Sequence, residues 1–186
     1  MKIPLTGRKK ALIIVDVQDG FIVDRNKYII PKIEKIIKHI EYDLIVSTLA
    51  HNKKDSLWIK QIGWEEYLEE NDHREKSIVK AIDSKKHIFI EKASRSAFKG
   101  DIFLKTILKE QDIKEVHIVG IESNDCVMAT ALESIDYGFF TFVIEEATET
   151  RTTEINHKYA LDILRYLKLT NNSKFVGHDK IKFEII

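Results

Sequence analysis

The chain has 186 residues, room for one domain with its own core. Hydrophobic residues make up 44% and charged residues 32%, a balance that excludes a disordered or low-complexity polypeptide. Thirty basic residues match thirty acidic ones, so net charge gives no reason to expect nucleic acid or an anionic membrane surface as partner.

The predicted elements alternate along the chain. Ala11–Val15 is a short, continuous apolar run, as are Leu44–Val46, His87–Ile90, Val116–Val119 and Phe140–Ile144. Such runs suit strands covered on both faces. Between them the spacing predicts helices. Lys32–Ile40 aligns Ile33, Ile36, Ile37 and Ile40 behind Pro31. Ile102–Leu108 follows Asp101, an expected N-cap, and Cys126–Ile135 follows the capping-type pair Asn124-Asp125. Glu154–Leu167 carries Tyr159, Ile163, Tyr166 and Leu167 at helical spacing. Strand–helix alternation predicts a single α/β domain over residues 1–186, with a mostly parallel sheet between two helical layers. Residues 52–86, with Trp58, Trp64 and Tyr67 among many charges, read as a surface excursion, a helical lid or part of an interface.

In open parallel sheets, ligands bind beyond the carboxyl ends of the strands. The first predicted strand ends at Asp16, the third at Glu91-Lys92, and the fourth at Gly120, followed by Ile-Glu-Ser-Asn-Asp and Cys126. Singly, each has an ordinary structural reading: a core thiol, a turn carboxylate, a solvated ammonium. Together they place a thiol, an acid and a cation on one edge of the sheet. A helix N-terminus and a lysine stabilise a thiolate, and an aspartate can carry its proton to a leaving amine. Backbone N–H groups before Cys126 could hold an oxyanion.

Four segments, ALIIVDVQDGF, EKASRSAFKGDIFLKTILKEQDIKEVHIVGI, GIESNDCVMATALES and VIEEATETRTTEINHKYALDIL, resemble the isochorismatase-like cysteine hydrolases, in order over nearly the whole chain. The resemblance implies a six-stranded parallel sheet. It implies Cys126 as nucleophile, Asp16 as proton acceptor and Lys92 as the neighbouring cation. It further implies a cis peptide between Ile121 and Glu122, with the N–H groups of Glu122 and Cys126 as oxyanion hole. Gln18, Phe21 and His51 are the candidate substrate contacts. Ser123-Asn124 stands where the family commonly has Thr-Asp.

Metal-dependent nicotinamidases have Asp-x-His after the second strand and a further histidine. Here Leu49 lies two residues before His51, with His73 downstream. The missing carboxylate argues against a metal and against nicotinamidase activity. His39, His87, His117, His157 and His178 show no ligand spacing, and no cofactor is expected. The leading expectation is hydrolysis of a C–N bond in a small amide, ureide or imide. Vinyl-ether hydrolysis of the isochorismatase type and a non-catalytic binding role are the alternatives. One cysteine, no apolar leader in Met1–Lys10 and no apolar run of membrane length lead to an expected cytoplasmic location. A homodimer or homotetramer is expected from the resemblance.

Overall fold

The computed structural model describes residues 1–68, 73–83, 85–173 and 182–185. His178 and parts of the 52–86 excursion (69–72 and 84) therefore lie outside the described residues. The strands are β1 (Lys2–Leu5), β2 (Lys10–Val15), β3 (Leu44–Ala50), β4 (His87–Lys92), β5 (Glu115–Ile121), β6 (Phe140–Glu149) and β7 (Lys182–Ile185). The α-helices are α1 (Ile30–His39), α2 (Leu57–Ile62), α3 (Lys76–Ile82), α4 (Leu104–Glu110), α5 (Cys126–Asp136) and α6 (Glu154–Tyr166).

β4-β3-β2-β5-β6 form one parallel sheet, in that order. β2 lies at its centre, and its alternation feeds two cores. Ala11, Ile13 and Val15 meet Leu104, Leu108, Val127, Ala131 and Leu164 from α4, α5 and α6. Leu12 and Ile14 meet Ile33, Ile36, Ile37, Ile78 and Ile82 from α1 and α3. This is the expected three-layer arrangement, and it explains why the central strand is apolar from Ala11 to Val15.

The sheet has five named strands where the resemblance implied six. Beyond β6 the place of a sixth is taken by a short parallel bridge, Val143 to Thr170. The Val143 N–H reaches the Leu169 carbonyl at 2.7 Å, and the Asn171 N–H reaches the Val143 carbonyl at 3.0 Å. The antiparallel pair β1–β7 forms a separate sheet that the apolar runs did not reveal.

Helix starts also differ in detail. Pro31 opens α1 as expected. Asp101 does not cap α4. Its carboxylate accepts the Glu91 N–H at 3.1 Å, and α4 begins three residues later. In the 52–86 excursion Ser56 caps α2, which Gly63 ends at φ 73°. Trp64 and Tyr67 then fold back over Phe21. Among the three readings of this segment, its described part is a helical cover.

Gly120 shapes the sheet edge at the site. Its φ is 116°, and a Cβ there would lie 2.2 Å from the Val15 carbonyl oxygen. Both the conformation and the close approach to β2 require glycine. Gly120→Ala should cost about 3 kcal/mol through strain and overpacking. Urea unfolding should show a lower midpoint with an unchanged slope.

Candidate active site

The site stands at the carboxyl edge of the sheet, where β2, β4 and β5 end, with β3 between β4 and β2. Asp16 leaves β2 at φ 48°, a left-handed conformation that aspartate tolerates better than most residues. Thr48 of β3 holds it twice. The Asp16 N–H donates to the Thr48 hydroxyl at 3.1 Å, and that hydroxyl donates to Asp16 Oδ1 at 2.6 Å. Lys92, the last residue of β4, donates from Nζ to Asp16 Oδ2 at 2.6 Å and to the Ser94 carbonyl at 3.0 Å. Both side chains of the ion pair are fully buried.

Cys126 is the first residue of α5 and is 6% exposed. Its thiol is close enough to Asp16 and Lys92 for both to act on its ionisation. Burial pushes the thiol well above the ordinary cysteine range. Lys92 pulls it down, and the carboxylates of Asp16 and Asp125 push it up again. Burial also pulls on Lys92 downwards, but Asp16 and Cys126 beside it hold the ammonium above the usual lysine range. Burial thus favours the neutral thiol beside the Lys92–Asp16 ion pair. The sequence suggested a thiolate stabilised by the helix; desolvation outweighs that effect here.

The peptide between Ile121 and Glu122 is cis, as the resemblance implied. The Glu122 carbonyl accepts the Asp125 and Val127 N–H groups, at 3.1 and 3.0 Å. The Cys126 N–H, in the first turn, has no intrahelical carbonyl to bond. The Glu122 carboxylate accepts from Thr150 Oγ1 and from the Arg151 N–H at 3.0 Å, and pairs with Arg151 Nε at 3.0 Å. Ser123 is buried, with its hydroxyl 3.0 Å from His157 Nδ1, while Asn124 is exposed. The departure at Asn124 thus falls on a solvated position.

The three candidate substrate contacts have different fates. Gln18 is fully buried and bonds the Ala50 backbone twice, from Nε2 at 3.2 Å and to Oε1 at 2.8 Å. It braces β2 against β3. Phe21 is buried in an aromatic cluster with Trp64 and Tyr67, under the Arg151 guanidinium at 4.6 Å. His51 pairs through Nδ1 with Glu91 at 3.3 Å. Tyr67 donates to the Asp19 carbonyl at 2.7 Å, and burial with Glu66 nearby pushes its hydroxyl up to about 12, so it stays a donor.

Further residues at this sheet edge had no site role in the sequence reading. Thr48 was legible only as a polar residue in an apolar run. Trp58, Trp64, Arg95, Asp125 and Arg151 line a cleft of about 300 Å³ beside the start of α5. The two tryptophans, read from the sequence only as part of the 52–86 excursion, stand on its walls. Arg95 and Arg151 follow strand ends by a few residues, the one signal that could have drawn attention to them.

A match to the isochorismatase domain model covers residues 10–172, and the chain belongs to the isochorismatase family. It is 27% identical over 166 residues to the uncharacterized isochorismatase family protein YaaI of Bacillus subtilis (strain 168), covering 83% of this chain and 88% of that protein. Among solved structures it resembles the N-carbamoylsarcosine amidase of Thermoplasma acidophilum, with TM-score 0.71, 21% identity and coverage of 91% and 99%. It also resembles the pyrazinamidase of Pyrococcus horikoshii in complex with zinc, with TM-score 0.69, 24% identity and coverage of 85% and 95%.

A zinc ion does not fit the donors described here. Leu49 is a buried apolar side chain, His51 is engaged with Glu91, and the His73 ring stacks edge-on to Tyr67. Among the described residues no three His, Cys, Asp or Glu side chains converge as ligands. Most remaining histidines are satisfied: His87 by Ser47, His117 by Tyr42 and Glu115, and His157 by Ser123 and Glu149. His39 is exposed. Among the described residues no helix is long and apolar enough to cross a membrane.

Two predictions follow from the buried pair. Asp16→Asn or Lys92→Met alone leaves one uncompensated buried charge and should cost about 3–5 kcal/mol. The double variant should recover much of that loss in denaturant unfolding. Because burial raises the Cys126 thiol, its alkylation by iodoacetamide should keep accelerating above pH ~8.5, where a free thiol levels off. A rate already flat at neutral pH would show a resting thiolate instead.

Proposed function

We propose that the protein is a hydrolase of C–N bonds in small amides, ureides or imides, working through a thioester on Cys126. The observation that carries this reading is the thiol at the head of α5 beside the buried Asp16–Lys92 pair. The amidase among the structural neighbours supports the same class of reaction.

In this mechanism the Cys126 sulfur attacks the substrate carbonyl while its proton passes to Asp16. The C–S bond forms and the carbonyl π pair moves to oxygen. The N–H groups of Glu122 and Cys126 receive that oxyanion. Its collapse breaks the C–N bond, and the leaving nitrogen takes the proton from Asp16. Asp16 then draws a proton from water, whose oxygen attacks the thioester. The C–S bond breaks, the acid departs and the proton returns to sulfur. Lys92 remains charged throughout and offsets the negative charge that moves between sulfur, Asp16 and the oxyanion. Thr48 keeps the carboxylate oriented by its bond to Oδ1.

A panel of small amides and ureides assayed for released ammonia or amine should yield a substrate, and rapid quench with intact-mass measurement should show its acyl group on Cys126. Cys126→Ala and Asp16→Asn should each lower kcat/KM by about 10⁴-fold or more. Turnover by a folded Cys126→Ala variant at an undiminished rate would overturn the mechanism.

A further inference from the structure

Ser123 lies between the two proposed oxyanion donors, next to Glu122 and upstream of Cys126. It is buried and held at both its backbone and its side chain. Its N–H donates to the Glu149 carbonyl at 2.9 Å, just beyond the pairing of Ile121 with Glu149 that ends β5 and β6. Its hydroxyl stands 3.0 Å from Nδ1 of His157, near the start of α6. The same nitrogen lies 3.1 Å from Glu149 Oε1. The Glu149 carboxylate also accepts from Arg25 Nη2 at 3.1 Å, the Tyr28 hydroxyl at 2.8 Å and the Thr150 N–H at 2.9 Å. Arg25 and Tyr28 belong to the segment after β2, the strand that leads into Asp16.

These partners fix the proton on the His157 ring. A carboxylate paired with a guanidinium is an acceptor only, so the ring nitrogen facing it must carry hydrogen. Nδ1–H is therefore shared between Glu149 Oε1 and Ser123 Oγ. The other tautomer would set a lone pair against the carboxylate at 3.1 Å. Burial draws the ring below the ordinary histidine range; Glu149 works against that, and Arg25 and Arg165 add to it. A neutral ring with its hydrogen on Nδ1 satisfies both neighbours. Among the described residues His157 has no hydrogen bond or ion pair with Asp16, Lys92 or Cys126, so its route to the reaction runs through Ser123.

We infer that His157 is a positioning residue for the oxyanion loop: its Nδ1–H, steadied by Glu149, holds the Ser123 hydroxyl and with it the direction of the Glu122 and Cys126 N–H groups. The inference deepens the hydrolase reading above and rests on it. Oxyanion donors stabilise charge only when they are aimed in advance at the place where it develops, and such aim is kept by hydrogen bonds behind the donors.

Two reagents separate the loop from the thiol. p-Nitrophenyl acetate acylates sulfur through a tetrahedral oxyanion: the C–S bond forms, the ester C–O bond breaks and p-nitrophenolate leaves. Iodoacetamide alkylates sulfur by displacing iodide and forms no oxyanion. Wild-type protein should be acetylated on Cys126, read as nitrophenolate release and by intact mass. His157→Leu and Ser123→Ala should each slow acetylation by about tenfold or more, while alkylation keeps its wild-type rate. His157→Asn, whose amide N–H takes the place of Nδ1–H, should restore acetylation to within about threefold of wild type. His157→Gln, closer to histidine in size but with its N–H at the place of Nε2, should not. His157 is only partly buried, so these replacements should leave the fold intact.

Acetylation of His157→Leu at the wild-type rate, an equal fall in acetylation and alkylation, or equal rescue by Gln and Asn would overturn the inference. A wild-type Cys126 that takes up no acetyl group would instead refute the thioester reading, and amide hydrogen exchange then decides the positioning role. Exchange at residues 122–126 should rise in His157→Leu and fall back in His157→Asn; unchanged exchange would overturn that role too.

Discussion

The ion pair between Asp16 and Lys92 is the constraint on which the site depends. Two opposite charges, both fully buried, tie the end of the central strand to the end of an edge strand across β3. Such a pair is costly to desolvate and survives only with good geometry and further hydrogen bonds. Thr48, on the strand between them, supplies one bond to Asp16, and the Ser94 carbonyl supplies one to Lys92. Burying hydrophobic residues on both sheet faces holds the three strand ends in register, so the stability of the core is what makes the polar site possible. A hydrophobic pair would serve the fold as well or better, which is why the retention of this pair points to chemistry.

The second half of the site depends on the path of the chain after β5. Gly120 brings β5 close against Val15, the cis peptide turns the chain, and Glu122 anchors the turn to Thr150 and Arg151. Arg151 then links this loop to Glu66 and to the Phe21 ring. The helical cover of residues 57–68 is thereby connected to the loop that carries the proposed oxyanion donors.

Much of this was legible in the sequence because it rests on local pattern. Continuous apolar runs reveal doubly covered strands, and the residues at their carboxyl ends identify Asp16, Lys92 and Cys126 as neighbours. What was not legible depends on tertiary partners. The β1–β7 pair is short and mixed in character, so no run announces it. Asp101 has a capping side chain, but the Glu91 N–H is a nearer competitor for it. Gln18 follows the catalytic-type aspartate and invites a substrate role, yet only the fold shows that both ends of its amide meet the Ala50 backbone. The cleft escaped notice because its members are scattered over nearly a hundred positions and none is apolar-periodic.

The thiol itself shows why a resting site and a working site differ. A cysteine at a helix N-terminus beside a lysine would ordinarily ionise early. Here the Lys92 charge is already answered by Asp16, so its pull on sulfur is largely spent in the pair, and burial decides the balance. In the proposed mechanism the proton leaves sulfur for Asp16, and negative charge on sulfur passes into the new C–S bond and the oxyanion. Ionisation and attack are coupled in that mechanism, because burial disfavours a free thiolate before a carbonyl is in place.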